Sequence, residues 1–536
     1  MVKLSSLPPN SRWLRAFLLM SAASALVLPG PARAQGILKI GMTASDLPIT
    51  TGNPDQGFEG YRFVGYNLYD SLIEWDLSSA TKPSSLIPGL ATSWHVDPHD
   101  NRRWIFALRN GVKWDDGCPF VAGDVVWNLA HYTDPKSPQY YAPEAAQASP
   151  YLTNYASSQV LDDHTVAITT KAPDALFPYE ISYILLVSPC QATADHYNWS
   201  AFAQHPSGTG PYIFAGETAH QEMDLVPKKN YWNKARIPKQ ERLELFPMPD
   251  PATRTAALLS GQVNWIEAPD PDTVQRLRGA GMQIITNTYP HNWDYQLNFV
   301  KSPFADIRVR QAANYALNRD DVKALLDGLM IEGFSTVPPG SANYGNPVKY
   351  SYDPAKATAL LKAAHCYPCK VRFGISASGS GQMQSLSMNE LVKEQLDAVG
   401  FDVTLDTMDW NELLAVGRGG IDKYPNLSAI NISHQTQDPF DALIRIVSTS
   451  QWSPHGSNWG HYSNPDVDAL IKQIYNEFDP IKRNALLTSL NEMMNAQAVQ
   501  IFVAHDVNPR ALAPSVHGFV QAQSWFQDLT PVTVND

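Results

Sequence analysis

The chain has 536 residues, 44% of them hydrophobic and 17% charged, with a formal net charge of −12 at pH 7. That length holds material for about three domains with a sizeable core, and the modest charge density excludes an acidic disordered chain. With 40 basic against 52 acidic residues, the balance argues against nucleic acid as a main partner, and a mean hydropathy of −0.26 with one long apolar run excludes a polytopic membrane protein.

That run is N-terminal. Lys3, Arg12 and Arg15 precede the apolar stretch Ala16–Leu28, which is too short to span a bilayer. Pro29-Gly30-Pro31 and the small-residue site Ala32-Arg33-Ala34 follow. This is the layout of a secretory signal peptide over residues 1–34, cut after Ala34. No cysteine follows the site, so no lipid anchor is expected, and the protein is read as a periplasmic one. Loss of Lys3, Arg12, Arg15 and Arg33 takes the net charge from −12 to −16.

Next along the chain, Leu38-Lys39-Ile40 starts an apolar/polar alternation, hence a strand. Trp104–Arg109 alternates large apolar residues, Asn110-Gly111 signals a turn, and Val112-Lys113-Trp114 resumes the period. Pro211-Tyr212-Ile213-Phe214 reads as a strand after Gly208-Thr209-Gly210; a phosphate cradle would instead open a helix. Asp306 is placed to cap a helix carrying Val309, Ala312, Ala313, Ala316 and Leu317, and Asp320 to cap the next. Arg308 and Arg310 are read as a solvated or lobe-bridging face. Val371–Ile375, then Met388, Leu391, Val392, Leu396 and Val399 at helical spacing, then Phe401, Val403 and Leu405, form a βαβ crossover, which requires a parallel pair. Asn464-Pro465 opens a helix carrying Val467, Leu470, Ile471, Ile474 and Phe478.

Four cysteines are too few for a disulfide scaffold, but exported thiols oxidise. Of three possible pairings the favoured one is Cys118–Cys190 with Cys366–Cys369. The Cys366-Tyr367-Pro368-Cys369 run follows a helix and enters a strand, the reverse of a redox CxxC, and no second ligand pair for zinc is visible. The sequence contains no G-x-S-x-G elbow, H-E-x-x-H, Walker A or G-x-G-x-x-G motif. No catalytic residue, metal or cofactor is expected, and the chain is read as a non-enzyme.

Five separated blocks resemble the extracellular solute-binding proteins of family 5, the peptide/nickel-type receptors of ABC importers. They are Pro88–Trp94 with Trp104–Gly117 and Ala122–Val126; Ser207–Tyr212 with Asn230-Tyr231-Trp232; Asp306–Arg319; Tyr352-Asp353-Pro354 leading to Ala359-Leu360-Leu361; and Asn464–Leu470. They lie in the family's order and cover most of the mature chain. The resemblance implies an α/β, bilobal periplasmic-binding-protein fold, type II-like, with an extra subdomain in lobe I and two mixed-sheet lobes joined by a hinge. By position, lobe I takes 35–290 with an inserted subdomain at about 80–205, lobe II takes 291–505, and 506–536 returns to lobe I.

The same resemblance implies a function: capture of a peptide or peptide-like solute between the lobes and delivery to ABC permease subunits served by cytoplasmic ATPases, by a monomer. A receptor for a neutral or sugar-containing solute, or for a nickel chelate, is the alternative. The implied ligand-binding residues are Asp46, Gln56 and Phe58 from lobe I, and Trp410, His434, Gln435 and Asp438 from lobe II. In dipeptide-binding relatives a carboxylate three residues before an Asp-Pro pair accepts the α-ammonium. Asp438-Pro439 is present here, but the matching position is the neutral Gln435. No arginine occurs in 376–382, where the partner of a dipeptide's carboxylate would fall. Both ionic anchors of a short zwitterionic peptide are thus absent from the sequence.

Overall fold

A computed structural model of the chain describes residues 36–377, 379 and 381–535, so the expected leader lies outside the described residues. Two large sheets organise the molecule. The first has seven strands in the order Gln283–Ile285, Arg510–Leu512, Trp265–Glu267, Ile37–Met42, Arg242–Pro247, Glu222–Pro227 and Tyr212–Thr218. The second has six, in the order Met330–Glu332, Gln500–Asp506, His291–Leu297, Ala429–Gln435, Cys369–Ser376 and Phe401–Met408. Both are mixed: Ile37–Met42 runs parallel to its neighbour Arg242–Pro247, and that strand runs antiparallel to Glu222–Pro227.

The chain passes from the first sheet to the second through 286–290 and returns through 507–509. The two strands at these crossings, His291–Leu297 and Gln500–Asp506, pair antiparallel at the middle of the second sheet, with Asn292 opposite His505. A hinge made of two short adjacent segments permits rotation while the paired strands keep their register. A four-stranded antiparallel sheet, Ala91–Asp97, Asp100–Leu108, Thr165–Thr170 and Tyr155–Asp162, packs into the core of the first lobe through Trp104, Phe106, Val166 and Ile168.

Local signals built the expected elements. Ile37–Met42 buries Leu38 and Ile40 completely. The crossover comprises strand Cys369–Ser376, helix Ser385–Asp397 and strand Phe401–Met408, with Cys369 opposite Phe401 in a parallel pair. The helix buries Met388, Val392 and Leu396. Asp306 caps Ile307–Ala316 and Asn464 caps Pro465–Asn476. Both disulfides form, Cys118–Cys190 and Cys366–Cys369.

Three readings are corrected. Val112–Trp114 does not resume the strand; Lys113 makes an isolated bridge to Pro119, and Asp100–Leu108 pairs with strands on either side of it in the sheet. The helix Arg319–Leu325 is capped by Asn318, whose shorter reach to the Asp320 amide places Asp320 inside the first turn. Arg310 is not on a solvated face: it is buried and donates to the carbonyls of Gln497, Phe304 and Ala305, while Arg308 beside it is exposed and paired with Asp306. A buried arginine whose donors meet main-chain carbonyls ties elements together instead of facing water.

The glycines at 208 and 210, in the loop before strand Tyr212–Thr218, have a packing role. A Cβ on Gly208 would lie 1.9 Å from the Leu68 carbonyl oxygen, and one on Gly210 within 2.6 Å of the Asn67 oxygen. Only glycine allows the two backbones to approach this closely.

Candidate functional site

The boundary between the lobes is where side chains from distant parts of the sequence converge. Strand Ala429–Gln435 ends at Gln435, and the chain then turns through Asp438-Pro439 into the helical segment Phe440–Ile444. The turn is fixed by its own polar groups. The Asp441 amide donates to Asp438 Oδ1 at 2.9 Å, and the Gln437 amide donates to Gln435 Oε1 at 2.7 Å. Proline fixes φ between the two acids.

This turn holds a compact polar knot. Gln435 Nε2 donates to Asp438 Oδ2 at 2.6 Å and also to Asp441 Oδ2. Arg445, one helical turn on from Asp441, pairs with its Oδ1 at 2.9 Å. From the other lobe, the Tyr183 hydroxyl donates to Asp438 Oδ2 at 2.7 Å. Gln435, Asp438 and Asp441 are all buried. Burial pushes the Asp441 carboxyl up to about 7 against the pull of Arg445, and burial, with Asp438 adjacent, raises the Tyr183 phenol well above its ordinary range. Glu180, which faces the same two aspartates, is raised well above the usual carboxylate range by burial and by Asp174 and those aspartates.

Aromatic rings form the lobe I side. Phe58 lies 4.5 Å from the ring of Trp525 and 6.3 Å from that of Tyr183, and Tyr151 stacks on Tyr183 at 4.3 Å. Trp525 belongs to the C-terminal return. Its indole N–H donates to the Pro290 carbonyl in the crossing segment, and its amide donates to Gln437 Oε1 at 2.6 Å, so it ties the C-terminal return, the crossing segment and the turn after Gln435 together. Its ring also meets His291 edge-on at 4.6 Å.

The remaining wall is the loop after Cys369–Ser376. Gly379 and Gly381 both have positive φ, +141° and +71°; a Cβ at Gly379 would collide with the Trp410 indole, and one at Gly381 with the His291 imidazole. The Trp293 indole N–H donates to the Gln382 carbonyl at 3.1 Å, and Gln384 reaches across to Asp270 of lobe I at 2.8 Å. The Gln382 side chain is 2% exposed, and neither of its amide atoms has a partner among the described residues. Thr436 Oγ1 and Gln437 Nε2 are likewise buried and unpartnered.

Beneath the site runs a stripe on the other face of the same strands: His505, Asn292 and His434 lie side by side in one row, next to Asp294. Burial holds all three nearby histidines below their ordinary range, His505 to about 3, His434 well below it and His291 lowered. Asp294 accepts from Asn292 and Gln500, and its carboxyl is raised well above normal by burial.

Of the residues expected at the site, Gln435 and Asp438 meet directly, and Phe58 joins them through Tyr183. His434 is buried one residue before Gln435, on the opposite face of the strand, with both ring nitrogens unpartnered and Nδ1 3.8 Å from Asp294. Trp410 is half-buried and backs the Gly379 loop. Asp46 and Gln56 sit apart from the knot: Asp46 accepts from His220 Nδ1 at 2.8 Å, and Gln56 accepts from Ser45 at 3.0 Å. Sequence reasoning missed Tyr183, Asp441, Arg445, Gln382, Gln437 and Trp525. The Asp441/Arg445 pair carried a signal in its i, i+4 spacing; the others come together only through the fold.

Against known proteins, residues 85–468 match the family described as bacterial extracellular solute-binding proteins, family 5. The chain belongs to that family. It is 26% identical to heme-binding protein A of Haemophilus influenzae, over 89% of this chain and 88% of that protein, and 27% identical to the glutathione-binding protein GsiB of Pectobacterium atrosepticum, over 94% and 95%. It superposes on the ABC transporter-associated periplasmic binding protein DppA of Helicobacter pylori, solved in complex with the peptide STSA, with a TM-score of 0.80, 22% identity and coverage of 94% and 99%. The fold of this family 5 protein is therefore the bilobal periplasmic-binding-protein fold, as the sequence implied. Among the described residues no helix is long and apolar enough to cross a membrane.

Proposed function

We propose that this family 5 protein is the solute-binding component of an ABC importer, working in the periplasm as a monomer. It captures a peptide or peptide-like solute between its lobes and presents the closed form to a membrane permease whose ATPases lie in the cytoplasm. We assign residues 35–290 and 506–536 to lobe I and 291–505 to lobe II, with 286–290 and 507–509 as the hinge. The observation that carries the reading is the convergence, at the lobe boundary, of an aromatic wall from lobe I and a polar turn from lobe II. A pocket of that kind excludes water while a few placed polar groups set orientation. Ligand stabilises closure by its differential affinity for the closed over the open arrangement. The peptide-like class is supported by the glutathione-binding relative, whose ligand is a peptide.

The protein is proposed to bind and not to turn over its ligand. Tyr183, Asp438 and Asp441 are held in mutual hydrogen bonds, and no serine, cysteine or threonine nucleophile is paired with a base at this turn. The test is thermal unfolding of protein refolded from denaturant, against di- to octapeptides, oligosaccharides and nickel–histidine. A ligand at a hundredfold excess over its Kd contributes about 2.7 kcal/mol of stability. A raised midpoint with unchanged ligand is expected; release of a product from any of these compounds overturns the receptor reading.

A further inference from the structure

The two acids of the turn, Asp438 and Asp441, already have protein partners. Asp438 accepts from Tyr183, from Gln435 and from the Asp441 amide, and Asp441 accepts from Gln435 and pairs with Arg445. The Gln435 amide nitrogen occupies the space between two carboxylates, where an ammonium would otherwise sit. On the lobe I side the Arg62 guanidinium, 5.5 Å from the Trp525 ring, is committed to Glu267 at 2.6 Å. Unlike these, Glu180 Oε2 is left unpartnered, on a carboxyl whose burial favours its neutral form, and so are the uncharged amide atoms of Gln382, Thr436 Oγ1 and Gln437 Nε2. They are also fixed in place. Trp293 holds the Gln382 backbone, two glycines press that loop against Trp410 and His291, and Gln437 is anchored by Ser524 and Trp525.

Resting on the receptor reading above, we infer that the interlobe site takes a solute whose recognised groups are uncharged amides or hydroxyls, with Gln382 as the residue that selects them and the Gln435–Asp438–Asp441–Tyr183 knot as the device that refuses a free ammonium. The physical reason is asymmetric. A neutral amide or hydroxyl satisfies the buried Gln382, Thr436 and Gln437 groups with little desolvation, and a site with unpaired buried polar groups discriminates sharply in favour of the ligand that completes them. A charged terminus must instead be buried beside aspartates already engaged and a Glu180 carboxyl whose burial opposes its ionisation, which costs more than it returns.

The test is calorimetric titration of ligand-stripped protein with three probes: N-acetyl-Ala-Ala-Ala-amide, free-ended Ala-Ala-Ala, and the disaccharide trehalose. The capped tripeptide or trehalose is expected to bind at least about tenfold more tightly than the free-ended tripeptide, the price of one unpaired buried charge. Which of the two binds tells whether the neutral groups come from a peptide or a sugar. Gln382→Leu is expected to lose that binding, and Gln435→Ser, which vacates the space between the carboxylates, to narrow the ratio by about tenfold. Should Gln435→Ser fail to fold, Tyr183→Phe removes one of the two donors to Asp438 Oδ2 and narrows it in the same direction. Equal or tighter binding of the free-ended tripeptide by the wild type overturns the inference and leaves the receptor reading standing, and so does binding of none of the three probes. Cleavage of a probe overturns the receptor reading itself.

Discussion

Replacing His505 by glutamine tests whether the stripe under the binding site is held neutral by burial. His505 is fully buried between the crossing strands, and its imidazole titrates near 3, against 6.5 for an ordinary histidine. The sign follows from proton linkage. Between those values the unfolded chain binds a proton that the folded protein refuses, so stability present above pH 6.5 is lost as pH falls toward 3. Each pH unit in that window is worth about 1.4 kcal/mol, so going from pH 7 to pH 5 the wild type loses about 2 kcal/mol through this residue alone. Buried carboxyls with raised values, Asp441 at about 7 and Glu74 at about 8, shift stability in the opposite direction over the same range. The informative quantity is therefore the difference between His505→Gln and wild type in urea unfolding at the two pH values. The variant is expected to gain about 2 kcal/mol relative to wild type at pH 5 compared with pH 7. A difference that does not change with pH refutes the claim that burial keeps His505 neutral.

Other expectations follow from single contacts. Removing Cys118–Cys190, which closes a 72-residue separation, is expected to cost up to about 4 kcal/mol in chemical denaturation on the chain-entropy estimate, and removing Cys366–Cys369, three residues apart, less than half of that. Gly208→Ala forces a Cβ against the Leu68 oxygen and is expected to abolish soluble expression or lower the melting point by many degrees, while Gly123→Ala, in a helix with open space around it, is expected to be neutral or stabilising by up to about 1 kcal/mol. Glu267→Gln leaves Arg62 and Arg510 buried without their shared carboxylate, which Arg510 and Arg62 hold below its ordinary value despite burial; a loss of about 3–5 kcal/mol in urea unfolding is expected, and a loss under about 1 kcal/mol would show that the two arginines are otherwise satisfied.

Local periodicity made much of the fold legible. The crossover at 369–408, the capped helices at Asp306 and Asn464 and the strand at Ile37 are read from spacing alone, because their signals lie within a dozen residues of each other. The misread continuation at Val112–Trp114 has the opposite cause: the alternation resumes after Asn110-Gly111, but the partners of Asp100–Leu108 are Ala91–Asp97 and the distant Thr165–Thr170. Arg310 was misplaced because charge on a helix face reads as solvent exposure until the carbonyls that meet it are located. At the candidate site, Asp438-Pro439 marked the turn where Gln435, Asp438 and Asp441 meet. Tyr183 and Trp525 were not legible, since they reach that turn from 255 and 88 residues away. Asp46 and Gln56 were chosen by position along the chain, and their hydrogen bonds keep them in a separate group near His220 and Ser45.

In the proposed function, one solute is held by both lobes at the turn after Gln435. Hydrogen exchange on ligand-stripped protein, with and without the solute that raises the melting point most, reads this directly, because a shared site protects amides from both lobes at once. The account predicts coordinated protection of 56–61 and 524–526 in lobe I with 379–384 and 434–441 in lobe II. Protection confined to one lobe, or spread over a surface away from these four segments, would contradict it.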